Sequence, residues 1–90
     1  MNKIRRNEIE KLSARLGSIM GDLEEIRDEI ENLKDEEQDY LDNIPENMQN
    51  GDKYSTSEEA ISNLESSIDE LDNVISSLED SINYLDESKA

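Results

Sequence analysis

Apolar residues recur at alternating intervals of three and four through both halves of the chain. Residues 9–33 keep this repeat without interruption, and residues 61–85 place isoleucine at every heptad position a and leucine at every position d. A repeat sustained over more than three heptads predicts helices with one apolar seam each. The predicted seam residues are Ile9, Leu12, Leu16, Ile19, Leu23, Ile26, Ile30, Leu33, Ile61, Leu64, Ile68, Leu71, Ile75, Leu78, Ile82 and Leu85.

The repeat stops between residues 39 and 55, which hold the only proline and two of the three tyrosines. Pro45 disfavours helical geometry at the preceding residue, so we expect the first helix to end near Asn43. Pro45 suits the start of a short helical turn, and Asn50-Gly51 suits a turn because both residues tolerate positive φ. A capping box at Ser55 or Thr56 would then begin the second helix. The sequence predicts one domain over residues 1–90, with helices over about 3–42 and 56–87 and a connection over about 43–55.

Charges beside the seams indicate how the two helices pair. The e positions of the second helix are all acidic, whereas those of the first include Arg27 and Lys34. In an antiparallel pair e faces e, and a short connection makes consecutive helices antiparallel neighbours. The sequence therefore predicts an all-α fold, an antiparallel two-helix coiled-coil hairpin.

Small residues at the g positions of the second helix widen its apolar face beyond a two-helix seam. Met20 and Leu41 do the same for the first helix. The second helix also carries many serines and asparagines, which are poor helix formers, so its stability depends on packing. We expect hairpins to self-associate into a helical bundle, making the protein a homo-oligomer.

Two features of the first helix leave alternatives open. Glu37 is the one polar residue at an a position; we expect the seam to fray there, the alternative being a buried polar residue that fixes register. Gly17 and Gly21 lie one turn apart, and each destabilises a helix interior by about 1 kcal/mol relative to Ala. They indicate a kink, the close approach of another helix, or a tolerated defect.

Composition limits the possible functions. The 90 residues are only 32% hydrophobic with net charge −16, values that favour disorder in a chain without periodicity. Such acidity argues against direct binding to nucleic acid or an anionic membrane and permits basic protein partners. No apolar run approaches the ~18 residues of a membrane span, and the N-terminus lacks the apolar region of a secretory signal. We expect a cytoplasmic protein.

The sequence offers little from which to build a catalytic centre. It contains no cysteine and no histidine, which excludes thiol and imidazole chemistry and nitrogen or sulfur metal sites. Residues 35–43 hold five acids but lack the spacing of a calcium loop. We therefore expect no enzymatic activity, no metal and no cofactor.

Specific contacts are expected at the two ends of the hairpin. A second helix of the predicted length ends level with residues 12–16, so a basic segment projects beyond it. This segment would contact another subunit, a foreign protein or a small anionic ligand, and its candidate residues are Lys3, Arg5 and Arg6. The connection is either only a turn or a partner-binding surface, whose candidate residues are Tyr40, Asn43, Pro45, Glu46, Asn47 and Tyr54.

Two stretches carry a resemblance to a known group of proteins. They are the early Arg5-Arg6 pair and the segment from Tyr40 to Leu71, above all its Asn43-Ile44-Pro45-Glu46-Asn47 sequence, which heptad periodicity does not require. On these residues the chain resembles small acidic, mostly uncharacterised helical-hairpin proteins of phages, prophages and Gram-positive bacteria. The resemblance implies a non-enzymatic accessory protein of a phage or mobile element, located in the host cytoplasm if phage-encoded.

Three functional hypotheses follow. The first is an oligomer that binds a host protein, such as a defence component, and inhibits or modulates it. The second is an acidic mimic of nucleic acid, whose carboxylate row on the second helix occupies a DNA- or RNA-binding protein. The third is an oligomer that sequesters a nucleotide or other anion through Arg5 and Arg6.

Overall fold

The computed structural model describes residues 1–89 and confirms the all-α hairpin. Helix α1 spans Lys3–Asp42 and helix α2 spans Asp52–Ser88, with a short 3₁₀ helix at Glu46–Met48 between them. No strand occurs among the described residues. The two helices pack against each other along their length.

The ends of α1 are closed by two asparagines. The side-chain Oδ1 of Asn2 accepts a hydrogen bond from the main-chain N–H of Arg5 at 2.8 Å. At the other end, the main-chain N–H of Asn43 and its side-chain Nδ2 both donate to the carbonyl of Asp39, at 3.2 and 2.8 Å. The last turn therefore closes at Asp42, as the predicted bounds of about 3–42 have it, two residues ahead of the pre-proline Ile44.

Helix α2 begins four residues earlier than the sequence predicts. Gly51 is its N-cap, and the N–H of Ser55 already donates to the Gly51 carbonyl at 3.3 Å. Asp52 places a carboxylate in the first turn, where the helix dipole favours negative charge. The expected capping box at Ser55 or Thr56 therefore lies inside the helix and does not form its start.

Asn50 lies in a turn, as the sequence predicts, but the turn does not use the positive φ that Asn50 and Gly51 tolerate. Gly51 has φ −85°, and none of the described residues with a side chain has positive φ. Close approach explains the glycine, because a Cβ on Gly51 would lie 3.3 Å from the carbonyl oxygen of Met48.

Three contacts between the helices define the antiparallel register. They join Glu37 to Ser57 near the turn, Arg27 to Asp72 in the middle, and Glu10 to Lys89 at the far end. Helix α2 thus reaches Glu10, further than residues 12–16, because it starts early. The result is a rod of 70 × 14 × 13 Å with a radius of gyration of 20.3 Å, against about 12 Å for a compact domain of this length.

The best-buried part of the hairpin lies near the turn. Only Leu41, Ile61, Ile68 and Ser57 are less than 9% exposed among the described residues. Total accessible surface is 6692 Å², compared with roughly 5,400 Å² for a compact monomer of the same mass. A single hairpin therefore leaves much of its apolar surface in water.

The predicted fraying at Glu37 was wrong. Helix α1 continues five residues past Glu37, and the Oε1 of Glu37 accepts a hydrogen bond at 2.7 Å from the hydroxyl of Ser57, which is 2% exposed. A buried hydroxyl needs a partner, and the carboxylate supplies it. The polar position is a cross-helix contact, which agrees with the alternative that it fixes register.

Helix α1 is continuous through Gly17 and Gly21. A Cβ added at either glycine meets nothing within 4 Å, so neither residue serves close packing within the hairpin.

Neither helix combines the length and hydropathy that crossing a membrane requires, over the residues described.

Candidate functional site

Five apolar side chains at seven-residue intervals stay half-exposed along α1. They occupy every d position from residue 12 to 40, with exposed fractions between 45% and 54%. We call this set the α1 row: Leu12, Ile19, Ile26, Leu33 and Tyr40. The sequence places them on the hairpin seam, but half of each remains in contact with water.

The rotation of α1 about its axis explains why this row is open. Helix α2 packs over the a positions and the e positions, so the e residue Leu41 is 8% exposed. Positions d and e lie on opposite sides of a, and covering e therefore uncovers d. Val74, a g residue of α2, is 45% exposed and lies on the same flank by heptad position.

An ion-pair cluster occupies the opposite flank of the hairpin. The Nε of Arg27 lies 2.9 Å from Oδ1 of Asp72, and Arg27 also contacts Glu31 one turn away and Asp28 at 3.5 Å. The hydrogen bonds that the Arg27 guanidinium donates to the carboxylates of Asp72 and Glu31 raise the pKa of Arg27 above its ordinary value. The predicted meeting of Arg27 with the acidic row is confirmed.

Lys34, the other cation expected at this row, makes no ion pair within 4 Å among the described residues. It lines a polar cleft of about 280 Å³ next to Glu65 and the arginine cluster. Charged side chains therefore line the flank that carries Arg27, whereas the flank that carries the α1 row is exposed and apolar.

A small groove lies at the turn of the hairpin. We call it the apical groove; its volume is about 250 Å³, and it is lined by Tyr40, Asn43, Ile44, Pro45, Met48 and Lys53. The 3₁₀ helix forms its wall through the bonds from Met48 N–H to the Pro45 carbonyl, at 2.8 Å, and from Gly51 N–H to the Met48 carbonyl, at 3.1 Å. These bonds use only the backbone of Met48, whose side chain is 55% exposed.

The apical groove unites part of the predicted partner-binding set. Tyr40, Asn43 and Pro45 line it. Glu46 and Asn47 lie exposed on the adjoining 3₁₀ helix, and Tyr54 is half-buried on α2 outside the lining. Ile44, Met48 and Lys53 were missed, although the apolar pair flanking the Pro45-Glu46-Asn47 segment was a visible signal.

The basic end lies about 60 Å from the apex, by the rise of a 40-residue helix. Lys3, Arg5 and Arg6 are all exposed. The guanidinium of Arg6 donates to the Met1 carbonyl at 2.8 and 3.1 Å, while Lys3 and Arg5 have no carboxylate within 4 Å among the described residues. In a single chain these cations do not converge on a shared ligand.

The acidic row of α2 is partly neutralised. Asp72 pairs with Arg27, and Asp86 lies 3.5 Å from the amine of Lys89. Glu65 and Glu79 remain exposed without such a pair among the described residues. The row therefore presents fewer free carboxylates than its sequence indicates.

No group of three or more possible metal-ligating side chains occurs within residues 1–89.

Comparison with known proteins adds nothing further: no family model, no curated protein and no solved structure matches the chain. The geometry and the two apolar surfaces are the basis for assigning a function.

Proposed function

We propose that this protein is a non-enzymatic interaction protein that self-associates through the α1 row and binds a host protein through the apical groove. Its origin in a phage or mobile element, and its role in inhibiting or modulating the host protein, follow from the resemblance of Arg5-Arg6 and the Tyr40–Leu71 segment. The observation that carries the proposal is the exposure of one entire heptad row on α1.

The size of the α1 row supports self-association. Full burial of a Leu or Ile side chain contributes about 1.5–3 kcal/mol, so a half-exposed one retains about 1 kcal/mol to be gained. Ten such side chains from two copies contribute on the order of 10 kcal/mol, comparable to the ~4–15 kcal/mol that association costs. The row therefore has the magnitude that decides between a monomer and an oligomer.

The apical groove supports binding of a second protein. It offers an apolar floor for one side chain of the partner, and the acids Asp42, Glu46 and Asp52 are each next in sequence to a residue that lines it. With a net charge of −16, the hairpin attracts basic surfaces over long range and accelerates their encounter. The expected partner is a protein with an apolar side chain set in a basic surface.

Self-association is tested by native mass spectrometry and light scattering over a wide concentration range. The unsubstituted protein is expected to give particles whose mass corresponds to more than one chain. Ile26→Glu puts a charge in the middle of the α1 row and is expected to weaken association at least about a hundredfold, because each copy buries an unpaired carboxylate. Tyr84→Glu adds the same charge at a side chain that is 72% exposed and outside the row, and serves as the control. A monomer at all concentrations refutes this part of the proposal.

Partner binding is tested by affinity capture from the host, followed by direct titration of the captured protein. Met48→Glu is expected to weaken binding at least about tenfold, since it fills the apical groove with a charge. Tyr84→Glu again controls for added charge. Asn43 is a poorer test residue because its amide also closes α1. A partner that binds the Met48→Glu and control variants equally excludes the apical groove as its site.

A further inference from the structure

The α1 row is symmetric about its central residue. Ile26 has Ile19 and Leu33 seven residues to either side and Leu12 and Tyr40 fourteen residues to either side. If two copies of α1 lie antiparallel about Ile26, every member of the row meets a member of the row in the other copy. A two-fold symmetric interface requires this kind of self-complementary surface.

Charge along α1 favours the antiparallel arrangement over the parallel one. Residues 3–15 carry five basic and two acidic side chains, whereas residues 35–42 carry five acidic and no basic ones. Antiparallel pairing about Ile26 places the basic segment of each copy beside the acidic segment of the other. Parallel pairing places like charges together at both ends, which is unfavourable. The middle of α1 is acidic in both arrangements and does not distinguish them.

We propose that two copies pair through their α1 rows in this antiparallel register, and that Arg5 of each copy completes the apical groove of the other. This inference rests on the proposed self-association. Arg5 precedes Leu12 by seven residues and so continues the row, facing the second copy just beyond its Tyr40. Beyond Tyr40 the other chain leaves α1 at Asp42 and continues into the 3₁₀ helix, where Glu46 and Asn47 are both exposed.

The arrangement joins the two ends of the hairpin into one composite site. In a single chain Arg5 lacks an acidic partner among the described residues, and the apical groove is open with Tyr40 49% and Met48 55% exposed. In the dimer each apex has an apolar groove bordered by an arginine from the second copy. The site is incomplete in one chain, so partner binding through it requires assembly.

Cysteine cross-linking tests the register, because the chain has no cysteine of its own. Ile19→Cys, Ile26→Cys and Leu33→Cys are each treated with a short bismaleimide. Ile26→Cys is expected to cross-link with itself, while Ile19→Cys and Leu33→Cys cross-link only when mixed with each other. Self-linked Ile19→Cys and Leu33→Cys indicate a parallel pair, which overturns this inference and leaves the proposed self-association intact. A protein that stays monomeric in native mass spectrometry overturns both.

Charge reversal tests the composite site. Arg5→Glu and Glu46→Arg are each expected to weaken dimerisation roughly three- to tenfold, because each removes an ion pair at both ends. The doubly substituted chain, or an equimolar mixture of the two single variants, is expected to restore it. The two residues are about 60 Å apart within one chain, so coupling between them requires a second copy. Additive losses without rescue refute the contact; circular dichroism confirms that every variant keeps its helices.

Discussion

Replacing Glu37 and Ser57 tests whether one buried hydrogen bond sets the register of the hairpin. The Ser57 hydroxyl donates to the Glu37 carboxylate at 2.7 Å, and Ser57 is the best-buried residue of those described. A hydrogen bond to a charged group contributes about 1.5–3 kcal/mol net. Glu37→Ala leaves the hydroxyl buried without an acceptor and is expected to destabilise the hairpin by about 2 kcal/mol.

Ser57→Ala is expected to have a smaller effect, about 1 kcal/mol or less. Its glutamate partner is only half-buried and regains contact with water, and alanine is the better helix former by a few tenths of a kcal/mol. Because the two losses share one interaction, the double variant should be more stable than additivity predicts, with a coupling of about 1–2 kcal/mol.

Urea unfolding followed by circular dichroism measures these differences. All variants are compared at one protein concentration, since self-association would stabilise the folded state by mass action. Ser67→Ala, an exposed serine of the same helix, is the control and should stabilise slightly. Additivity of the Glu37 and Ser57 substitutions within about 0.5 kcal/mol would show that the bond does not contribute to register.

Three substitutions and one change of conditions test further features of the hairpin. Gly17→Ala and Gly21→Ala should each stabilise by about 1 kcal/mol in urea unfolding, because an added Cβ meets nothing within 4 Å and the helix gains propensity; a loss of stability would show that the glycines serve a bend. Ser13→Ala should be neutral or stabilising by about 0.5–1 kcal/mol, since the Ser13 hydroxyl is shielded from water without a partner; a clear loss would reveal a partner. Added salt should raise the melting temperature of a chain with net charge −16, because it screens self-repulsion; a fall would mean that ion pairs such as that of Arg27 dominate.

The hairpin was predictable because heptad spacing, the proline and the charges at e positions all indicate the same arrangement. Arg27 and Asp72 show this most directly, since their pairing follows from the antiparallel register alone. The start of α2 was harder to predict. Ser55 and Thr56 form a plausible capping box, but the turn at Met48–Gly51 closes early enough to start the helix at Asp52. That outcome depends on three-dimensional closure of the connection.

The role of Glu37 was also not determined by the sequence alone. For a lone acid at a seam position we expected a frayed end, with a buried contact as the alternative, and its partner Ser57 lies twenty residues away on the other helix. Only the register between the helices brings them together. The lining of the apical groove was predicted only in part, for a similar reason. Tyr40 and Pro45 were predicted from their residue types, whereas Met48 and Lys53 join them only because the 3₁₀ helix folds back.

Which apolar row of α1 packs against α2, and which stays exposed, depends on the rotation of α1 about its axis. The repeat alone does not determine that rotation. Rows a and d of α1 are both apolar in sequence except for Glu37 in row a, and either is suited to packing against α2. Two contacts accompany the rotation in which α2 covers positions a and e: Leu41 enters the core near the apex, and Arg27 binds Asp72 at mid-length. Exposure of the α1 row is the consequence. A substitution that released this rotation, such as Arg27→Met, should therefore shift Ile26 toward α2, which is measurable as weaker self-association with little loss of helix. Unchanged association in that variant would show that the row is exposed for another reason.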